Sequence, residues 1–522
     1  MKSALLTILT SSLACLTLTA QSVRVDMGPE YVFENNEEFD KNLYSDNTGH
    51  YVSLLHFRKA FNANPTIVLS KFDKKFNQKW SYDYELEEKD DRHHGLYRLG
   101  DKFMWVFSKE KRRSKNRRVY NALPIDRNGD LLDDMQLHDV SEPKRRFQPE
   151  VLVTTSLDTS LMAVALLYDR NEERDDFEYH VSVLDDTGTQ RWTAAVVMDK
   201  SQEQVVVLDD GIDNNGNYYL LVKEYEQRNA RESKKVETRA GKERVAAYTI
   251  KVYTLSEGMT KPKVVDLDMD GRFERGGTIA VIGDGSVRAI GMYSINRRRG
   301  PQGVYSIGIG SSGEVQDAHY RDFSASDMDE LAGRLADEDR SGNQELEGVF
   351  GFRTMMIHGD GSVTATVESN YTRVQRDIRG QVRNVTYHSD DIIVIEFSPE
   401  GKFRSVRFVP KRQASSRDFF LSHTGVLVDD KAYFIYNDDE DNLGRDLDKI
   451  PRRAGSLKES ITVLAHMDGE DLVRESIISN ERSRFLMLPH SMTRISDNKY
   501  FFITRRASSL KKARFRMGTI EF

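Results

Sequence analysis

Cysteine is nearly absent from this sequence. Cys15 is the single cysteine among 522 residues, and it lies in an N-terminal segment with the pattern of a cleaved export signal. The mature chain would therefore contain no disulfide. An exported protein without disulfides depends on its hydrophobic core for stability. A chain of this length can bury one large core or several smaller ones.

Long apolar runs are also missing, except at the N-terminus. An uncharged apolar stretch covers residues 4–18, and Ala20 ends a short polar segment after it. We therefore expect a signal peptide over residues 1–20, cleaved after Ala20. The stretch is too short and too rich in Ser and Thr for a transmembrane span. A lipoprotein anchored through Cys15 is the weaker alternative, because the aliphatic residue before Cys15 lies one position closer to it than in a lipoprotein signal. The prediction is an exported protein, either periplasmic or at the cell surface or secreted.

An excess of positive charge is lacking as well. Lys and Arg number 76 against 83 Asp and Glu, which gives a formal net charge of −7. This balance argues against general nucleic-acid binding. With 30% charged and 10% aromatic residues, the composition is that of a globular protein with a hydrated surface and not of a disordered chain.

The sequence has no motif of a common hydrolase or nucleotide-binding site. It contains no GxSxG, no HExxH and no Walker loop, so we predict no catalytic residue and no cofactor. Gly308–Gly313 matches GxGxxG. A strand-like segment follows it, where a dinucleotide site needs a helix, so we interpret the match as a hairpin turn.

The sequence does contain an internal repeat. A short polar turn followed by an apolar, β-rich run occurs eight times. Asp-Gly, Asn-Gly and Asp-Asn pairs in these turns suit tight hairpins, because such residues tolerate positive φ. Further strand-like segments, such as Thr66–Phe72 and Tyr248–Leu255, complete a unit of four strands. The eight apolar runs are YVSLLHF (51–57), FMWVF (103–107), LMAVALLY (161–168), YYLLV (218–222), VRAIGMY (287–293), VTATV (363–367), AYFIY (432–436) and YFFI (500–503).

The two ends of the chain indicate a closed ring. The eighth unit stops at its third strand, residues 517–522, while a strand-like segment at 22–33 is left without a unit. In a ring, this N-terminal strand completes the eighth unit and removes an exposed edge. We therefore predict an all-β protein, with residues 21–522 forming a single β-propeller of eight four-stranded blades closed by the N-terminal strand. Seven blades, an open array or two smaller β domains are the alternatives.

One segment departs from the β pattern. In residues 326–338, Met328, Leu331 and Leu335 recur at helical spacing. Ser326 precedes them as a candidate N-cap. We predict a short helix here, inserted between the fifth and sixth units.

Several acidic or histidine-containing segments partly match metal sites. Asp266, Asp268, Asp270 and Glu274 belong to a DxDxDGxxE segment, a spacing that can surround Ca²⁺ with oxygen ligands. Gly277 occupies the position of the terminal glutamate of an EF-hand, and the acids alternate with apolar residues as on the hydrated face of a strand. We predict no metal site and keep these four acids as weak candidates. Segments 90–94 and 437–442 are interpreted as hydrated loops.

Acidic residues are also scarce where a propeller would need them for glycoside hydrolysis. That reaction needs two carboxylates facing one cleft. The first strands of the blades line the central channel, and their predicted segments, such as QVVVL (204–208) and FLMLPH (485–490), contain almost no acid. A glycosidase site at the axis is therefore disfavoured.

Part of the chain has the pattern of a known group of proteins. Residues 387–413 read YHSDDIIVIEFSPEGKFRSVRFVPKRQ, and residues 430–442 read DKAYFIYNDDEDN. These stretches resemble uncharacterised exported, β-propeller-like proteins of Bacteroidetes-type bacteria, which share a D-I-I-V run, a PK-x-Q turn and a Y-F-I-[YF]-N-D strand end. GMYS (291–294) and GVY (303–305) are similar to a second segment of that group. The resemblance covers about a third of the chain and implies an exported or envelope location, without an activity or a catalytic residue.

The predicted fold separates charge between two faces. In a propeller, the loops between second and third strands emerge on the same face as the loops that link successive blades; we call it the loop face. The predicted loops between second and third strands are long and carry more basic than acidic residues, although the chain is acidic overall. Such segregation favours an anionic partner, and ordinary solubility of long loops is the alternative. The candidate binding residues are Arg112, Arg113, Arg117, Arg118, Arg297, Arg298, Arg299, Lys411, Arg412, Arg505 and Arg506.

These features favour a non-enzymatic binding or assembly module of the bacterial cell envelope. Its expected partner is an anionic glycan or protein, and not a nucleic acid. A carbohydrate-active enzyme with a shallow cleft on one face is the second hypothesis, and an accessory subunit of an envelope complex is the third. Two carboxylates facing one cleft would favour the enzyme, whereas a broad Arg and Lys surface would favour binding.

Overall fold

β-strands form most of the protein. The computed structural model describes residues 23–32, 37–40, 43–57, 66–86, 91–110, 117–141, 149–169, 177–198, 200–227, 232–238, 241–282, 285–295, 300–310, 313–327, 349–377, 379, 381–447, 449–454, 460–479, 485–506 and 514–522. Apart from one separate two-stranded hairpin, the strands of these residues are grouped into eight antiparallel sheets that follow one another along the chain, and we call each of the eight a blade.

The strands are numbered in chain order, and the N-terminal strand is β1 (Arg24–Val32). Blade one contains β2 (Glu37–Phe39), β3 (Tyr44–Asp46), β4 (Gly49–His56), β5 (Thr66–Phe72) and β6 (Gln78–Tyr84). Blade two contains β7 (Arg92–Leu99), β8 (Lys102–Glu110), β9 (Arg117–Ile125) and β10 (Met135–Ser141). Blade three contains β11 (Glu150–Thr155), β12 (Leu161–Asp169), β13 (Phe177–Asp185) and β14 (Gln190–Met198). Blade four contains β15 (Val205–Ile212), β16 (Tyr218–Tyr225), β19 (Tyr248–Leu255) and β20 (Lys263–Leu267), with an inserted hairpin of β17 (Ser233–Thr238) and β18 (Gly241–Ala246).

The second half of the ring repeats this order. Blade five contains β21 (Phe273–Val281), β22 (Val287–Ser294), β23 (Gly303–Ile309) and β24 (Val315–Asp322). Blade six contains β25 (Val349–Ile357), β26 (Val363–Arg376), β27 (Val382–Phe397) and β28 (Phe403–Ser415). Blade seven contains β29 (His423–Val428), β30 (Lys431–Asp439), β31 (Ser460–Asp468) and β32 (Asp471–Ser479). Blade eight contains β33 (Phe485–Met487), β34 (Thr493–Ser496), β35 (Lys499–Arg506) and β36 (Arg514–Glu521). Short 3-10 helices cover Gln202–Gln204, Asp418–Phe420, Glu440–Asn442 and Pro489–Ser491.

The N-terminal strand completes the last blade, as predicted. β1 pairs antiparallel with β36, from Arg24 opposite Glu521 to Val32 opposite Arg514. Blade eight thereby gains its outermost strand from the other end of the chain. The first strands of blades four to seven contact one another in sequence, so these strands surround the axis of the ring. The fold is therefore a β-propeller with eight blades.

Hydrophobic clusters fill the interfaces between neighbouring blades. In one of them, Val52 and Phe72 of blade one pack with Phe501 and Met517 of blade eight. Equivalent clusters join each of the other neighbouring pairs around the ring. Because a blade is covered on both faces, its central strands are mostly buried within the ring, and β16 is buried at all eight positions. Burial on both faces explains why the repeat appears in the sequence as continuous apolar runs and not as alternation.

A recurring aspartate builds the tight turns. In turns of the form D-x-x-G-x, the Asp carboxylate accepts hydrogen bonds from the backbone N–H groups two and four residues later, and a glycine of positive φ closes the turn. Glycine is required there because its φ is near +90° in the turns after Asp126, Asp185 and Asp213. These turns lie on the face opposite the loop face, which we call the turn face. The aspartates of these turns are Asp126, Asp185 and Asp213. Asp73 accepts the same two hydrogen bonds, from the N–H groups of Lys75 and Asn77, but Phe76, with a φ of +65°, occupies the place of the glycine.

The GxGxxG segment is a hairpin turn, as predicted. β23 and β24 pair on either side of it. The Gly310 N–H donates to the Glu314 carbonyl at 2.9 Å, and Gly313 has a φ of +78°.

The predicted insertion helix is described only at its start. Residues 325–327 are helical. Ser324 Oγ accepts the Asp327 N–H at 3.1 Å, and the Asp327 carboxylate accepts the Ser324 N–H at 2.7 Å. This is a capping box, so the N-cap is Ser324 and not Ser326. The remainder of the predicted helix lies outside the described residues. Within the described part of the chain, no helix is long and apolar enough to cross a membrane.

Candidate functional site

The structure describes six of the eleven predicted binding residues. Arg112, Arg113 and Arg297–Arg299 lie outside the described residues. Arg117, Arg118, Lys411, Arg412, Arg505 and Arg506 lie inside them.

Two of these six residues have partners in blade two. The Arg117 guanidinium donates to both oxygens of Asp139, with Nε–Oδ1 at 2.5 Å and Nη2–Oδ2 at 2.8 Å. Arg118 is 3% exposed and donates from Nη1 to Ser108 Oγ at 3.3 Å. Consecutive strand residues point to opposite faces of the sheet. Arg118 is therefore an interior residue, and Arg117 is paired at the surface.

The other four residues are also held against the ring. Lys411 is fully buried, and Arg412 is half-buried. The Arg505 guanidinium lies over the Phe419 ring, 4.4 Å from its centroid, and burial lowers its pKa. Arg506 is half-buried. None of the six described candidates is a freely extended surface cation.

One of the long loops predicted between a second and a third strand, residues 368–390, contains a basic β-element with exposed arginines. β26 and β27 are 14 and 16 residues long. β25 pairs with β26 only as far as Asn370, and β28 pairs with β27 only as far as Tyr387. Beyond these points, residues 371–387 form a two-stranded hairpin that extends from the loop face. We call this hairpin the arm.

The arm carries a strong excess of positive charge. Its basic residues are Arg373, Arg376, Arg379 and Arg383, and its one acidic residue is Asp377. Asp377 Oδ1 accepts the N–H groups of Arg379 at 2.8 Å and Gln381 at 3.0 Å. The carboxylate is thus used inside the D-x-x-G-x turn. The same turn pattern elsewhere in the chain is the sequence signal that could have identified the arm.

A buried ionic cluster joins blades six and seven. Glu368 on β26 and Lys411 on β28 are both fully buried, with Nζ 2.6 Å from Oε1. Ser422 Oγ donates to Glu368 Oε2 at 2.6 Å, and His423 Nδ1 lies 3.3 Å from Oε1. Arg353 lies at an irregularity in the pairing of the first strand, β25. Its Nε is 3.3 Å from Oε2 of Glu368, and its side chain is 35% exposed. The cluster reaches solvent through Arg353.

The charges of the cluster compensate one another. Burial by itself raises the pKa of Glu368, but Lys411 and His423 hold that pKa well below its ordinary value. Burial lowers the pKa of His423, which keeps its imidazole neutral at neutral pH. Lys411 Nζ also donates to the Ser389 carbonyl and to Gln413 Oε1, both at 3.1 Å. A carboxylate and an ammonium with so many partners form a structural anchor and not a reacting pair.

Two acidic residues lie on a first strand, contrary to the sequence prediction for blade four. β15 extends past the predicted segment QVVVL to include Asp209 and Asp210. Asp209 Oδ2 accepts the Ile279 N–H of blade five at 2.9 Å and the Thr278 hydroxyl. Burial, followed by the charge of Asp209, raises the pKa of Asp210 to about 7. Because adjacent side chains point to opposite sides of a strand, the two acids are not a carboxylate pair facing one cleft.

Replacing Asp210 by Asn should stabilise the protein at alkaline pH. The folded pKa of about 7 exceeds the ordinary 3.8, so the folded state binds the proton more tightly and stability falls as pH rises between these values. Asp210→Asn should raise the unfolding free energy at pH 8 by at most about 4 kcal/mol and change it little near pH 4. Urea denaturation at both pH values measures this. Asp209→Ala removes a hydrogen-bond acceptor and should destabilise at both. An equal effect of Asp210→Asn on the unfolding free energy at both pH values would contradict the raised pKa of Asp210.

The four weak metal candidates do not converge. Asp266 is 3.6 Å from Lys251 Nζ, and Asp268 accepts the Asp270 N–H at 2.8 Å. The Asp270 carboxylate pairs with Arg272 at 2.8 Å, and Glu274 is buried beside Lys223, with Nζ–Oε2 at 3.0 Å. Among the described residues, no group of three or more His, Cys, Asp and Glu side chains could hold a metal ion.

The two segments interpreted as hydrated loops are largely structured. Residues 92–94 begin β7, and Asp90 lies outside the described residues. Trp105 Nε1 donates to His93 Nδ1 at 3.1 Å, and the other ring nitrogen of His93 is 3.4 Å from Asp40. Asp438 and Asn442 are both buried and joined by a 2.8 Å hydrogen bond. The hydrated-loop interpretation is wrong for these side chains, because internal partners replace water.

Comparisons with known proteins give similarity at the level of structure only. No protein-family model matches the chain, and no curated protein matches it. The WD40 domain of SCAP from fission yeast is 8% identical, with a TM-score of 0.39, over 96% of this chain and 98% of that chain. A protein of unknown function from Bacteroides caccae is 12% identical, with a TM-score of 0.25, over 69% and 94% of the two chains. A protein of unknown function from Dyadobacter fermentans is 8% identical, with a TM-score of 0.31, over 73% and 96%.

Proposed function

We propose that this protein is a non-enzymatic binding module of the bacterial cell envelope that recognises an anionic partner through its loop face. The observation that supports this proposal is the arm, which presents four arginines and engages its one carboxylate internally. A rigid ring that projects a charged element is suited to binding. Export to the periplasm or the cell surface is part of the proposal and rests on residues 1–20 and on the resemblance to exported proteins.

Two buried or half-buried acids, Asp209 on a first strand and Glu368 on a second strand, are held by neighbouring groups, which favours binding over carbohydrate-active catalysis. Asp209 is hydrogen-bonded to blade five, and Glu368 is enclosed by Lys411, Ser422 and His423. Hydrolysis of a glycosidic bond needs one acid to give a proton while a second faces the same sugar ring. Carboxylates held in this way serve the packing of the ring.

Retention on immobilised heparin tests the proposal. The full-length protein should bind at low salt and elute as salt is raised, because screening weakens attraction between exposed charges. Arg373, Arg376, Arg379 and Arg383 changed together to Ser should cause elution at clearly lower salt. The control changes four lysines of the turn face, Lys74, Lys75, Lys261 and Lys402, to Ser and so removes the same charge.

The control variant should elute with the wild type. Flow-through of the wild type at low salt would contradict the proposal. Equal losses in both variants would also contradict it, because retention would then follow net charge and not the arm.

A further inference from the structure

A cleft lies at the outer rim of the ring, between blades five and six. β24, the outermost strand of blade five, forms one wall, and the turn between β27 and β28 of blade six forms the other. Val304 and Phe397 form the floor and are each 1% exposed, and Phe403 is half-buried beside them. The volume of the cleft is about 320 Å³, which is within the range of small-molecule sites.

One arginine ties the two walls of the cleft together. Arg288 pairs with Asp317 of β24, with Nη1–Oδ1 at 2.8 Å and Nη2–Oδ2 at 3.1 Å. Its Nη2 also donates to the Pro399 carbonyl of the turn at 3.4 Å. His319 lines the cleft with its Nε2 3.6 Å from Asp317 Oδ1. The charge of Asp317 is therefore compensated, and the walls are held in place before a ligand arrives, which lowers the entropy lost on binding.

Two exposed cations on the walls are not used by the ring. Arg321 lies opposite Val304 in the pairing of β23 with β24, so both side chains lie on the side of blade six. Lys402 ends the turn on the other wall. Within the described part of the chain, neither side chain has a hydrogen-bond or ion-pair partner. Glu400, in the same turn, accepts the Ser398 hydroxyl at 2.7 Å, and this bond lowers the pKa of Glu400 more than the charge of Lys402 does.

We propose that this cleft binds a small carboxylate that carries an apolar ring. The ring would lie against Phe403 over the apolar floor. The carboxylate would accept two hydrogen bonds from the Arg321 guanidinium, whose parallel N–H groups match its two oxygens. Lys402 would add a second positive charge. This site goes beyond the proposed function, because the arm takes no part in it.

The lining of the cleft distinguishes this ligand from other classes. A cation would be repelled by Arg321 and Lys402, and an uncharged ring would gain nothing from either charge. A charged glycan would bring hydroxyl groups onto the apolar floor, where they lose water without gaining a partner. A carboxylate with an apolar ring uses the floor and the cations at the same time.

Isothermal titration calorimetry of the full-length protein with 2-naphthoate tests this inference. 2-Naphthamide has the same ring without the charge and should bind at least about tenfold more weakly, because the charge-assisted hydrogen bonds are lost. Acetate has the charge without the ring and should give no measurable binding. Amide hydrogen exchange of residues 315–322 or 398–403 should slow when naphthoate is bound, which locates the site.

Matched variants separate the two cations of the cleft from net charge. Arg321→Gln with Lys402→Gln changes two exposed side chains and should weaken naphthoate binding about tenfold. The control is Arg404→Gln with Lys75→Gln, which removes the same charge from exposed positions. Arg404 lies beside His358 in a different cleft, so the control should bind naphthoate as the wild type does.

Equal binding of naphthoate and naphthamide would overturn this inference, as would unchanged binding by the Arg321 and Lys402 variant. An equal loss in the control would overturn it too, because binding would then follow net charge. The heparin experiment is a separate readout, since its arm variant leaves the cleft intact and should bind naphthoate normally. Its lysine control lacks Lys402 and should bind naphthoate more weakly while eluting from heparin with the wild type.

Discussion

Deleting residues 21–34 should lower the free energy of unfolding by several kcal/mol. The deletion removes β1 and exposes the full edge of β36. Met27 and Tyr31 are partly buried against the clusters that flank blade eight. Complete burial of a side chain of this size contributes roughly 1.5–3 kcal/mol, and each of these two contributes part of that. The Tyr31 hydroxyl also donates to the Phe76 carbonyl at 2.5 Å. Urea unfolding followed by tryptophan fluorescence measures the loss.

Adding the deleted strand as a peptide provides the control. A synthetic peptide of residues 21–34 should raise the urea midpoint of the truncated protein in a concentration-dependent way, because a ligand that binds only the folded state stabilises it. A peptide of scrambled sequence should not. The truncated protein should also self-associate through its new edge. An unchanged midpoint after deletion would show that β1 does not close the ring.

Changing Glu368 to Gln should destabilise the protein by about 3–5 kcal/mol. The substitution leaves the Lys411 ammonium fully buried without its countercharge at 2.6 Å. Replacing both residues by apolar ones, Glu368→Leu with Lys411→Met, should recover most of the loss, because neither member of the pair is then left as a buried charge without the other. Glu257→Gln is the control, since its ion pair with Arg191 is exposed and such pairs contribute about 1 kcal/mol or less. A double variant as unstable as the single one would contradict this account.

The same cluster should contribute to acid sensitivity. The folded pKa of Glu368 is held well below its ordinary value of 4.5, so its stabilising contribution is present above that value and is lost as pH falls through the folded pKa. His423 acts in the same direction: its folded pKa is below 6.5, and protonation favours the unfolded state. Wild-type stability should therefore fall on acidification more steeply than that of the Glu368→Leu, Lys411→Met variant.

The repeat, the number of blades and the closing strand could be derived from the sequence. Each blade is buried on both faces, so its central strands, such as Tyr218–Tyr225, form continuous apolar runs that stand out from the turns. The turns are equally visible, because only a few residue types hold the backbone geometry of D-x-x-G-x. Both signals are local in sequence, and the unpaired strand at one end matches the missing strand at the other.

The places of the charged side chains were decided by tertiary structure. Lys411 and Arg118 were predicted to lie on a basic surface, yet both are buried. Their partners are Glu368, two strands away from Lys411 in the same blade, and Ser108, on the strand adjacent to Arg118. Asp210 lies on the first strand β15, whereas the segment predicted from the sequence ended two residues before it, at Leu208. The arm was predicted as a loop, since its arginines interrupt the apolar pattern that marks strands in the ring. Whether a charge is buried depends on partners that folding brings close, such as Ser422 beside Glu368 at a separation of 54 residues. Local sequence contains the charge but not the partner, which is why the fold could be predicted and the positions of its charged groups could not.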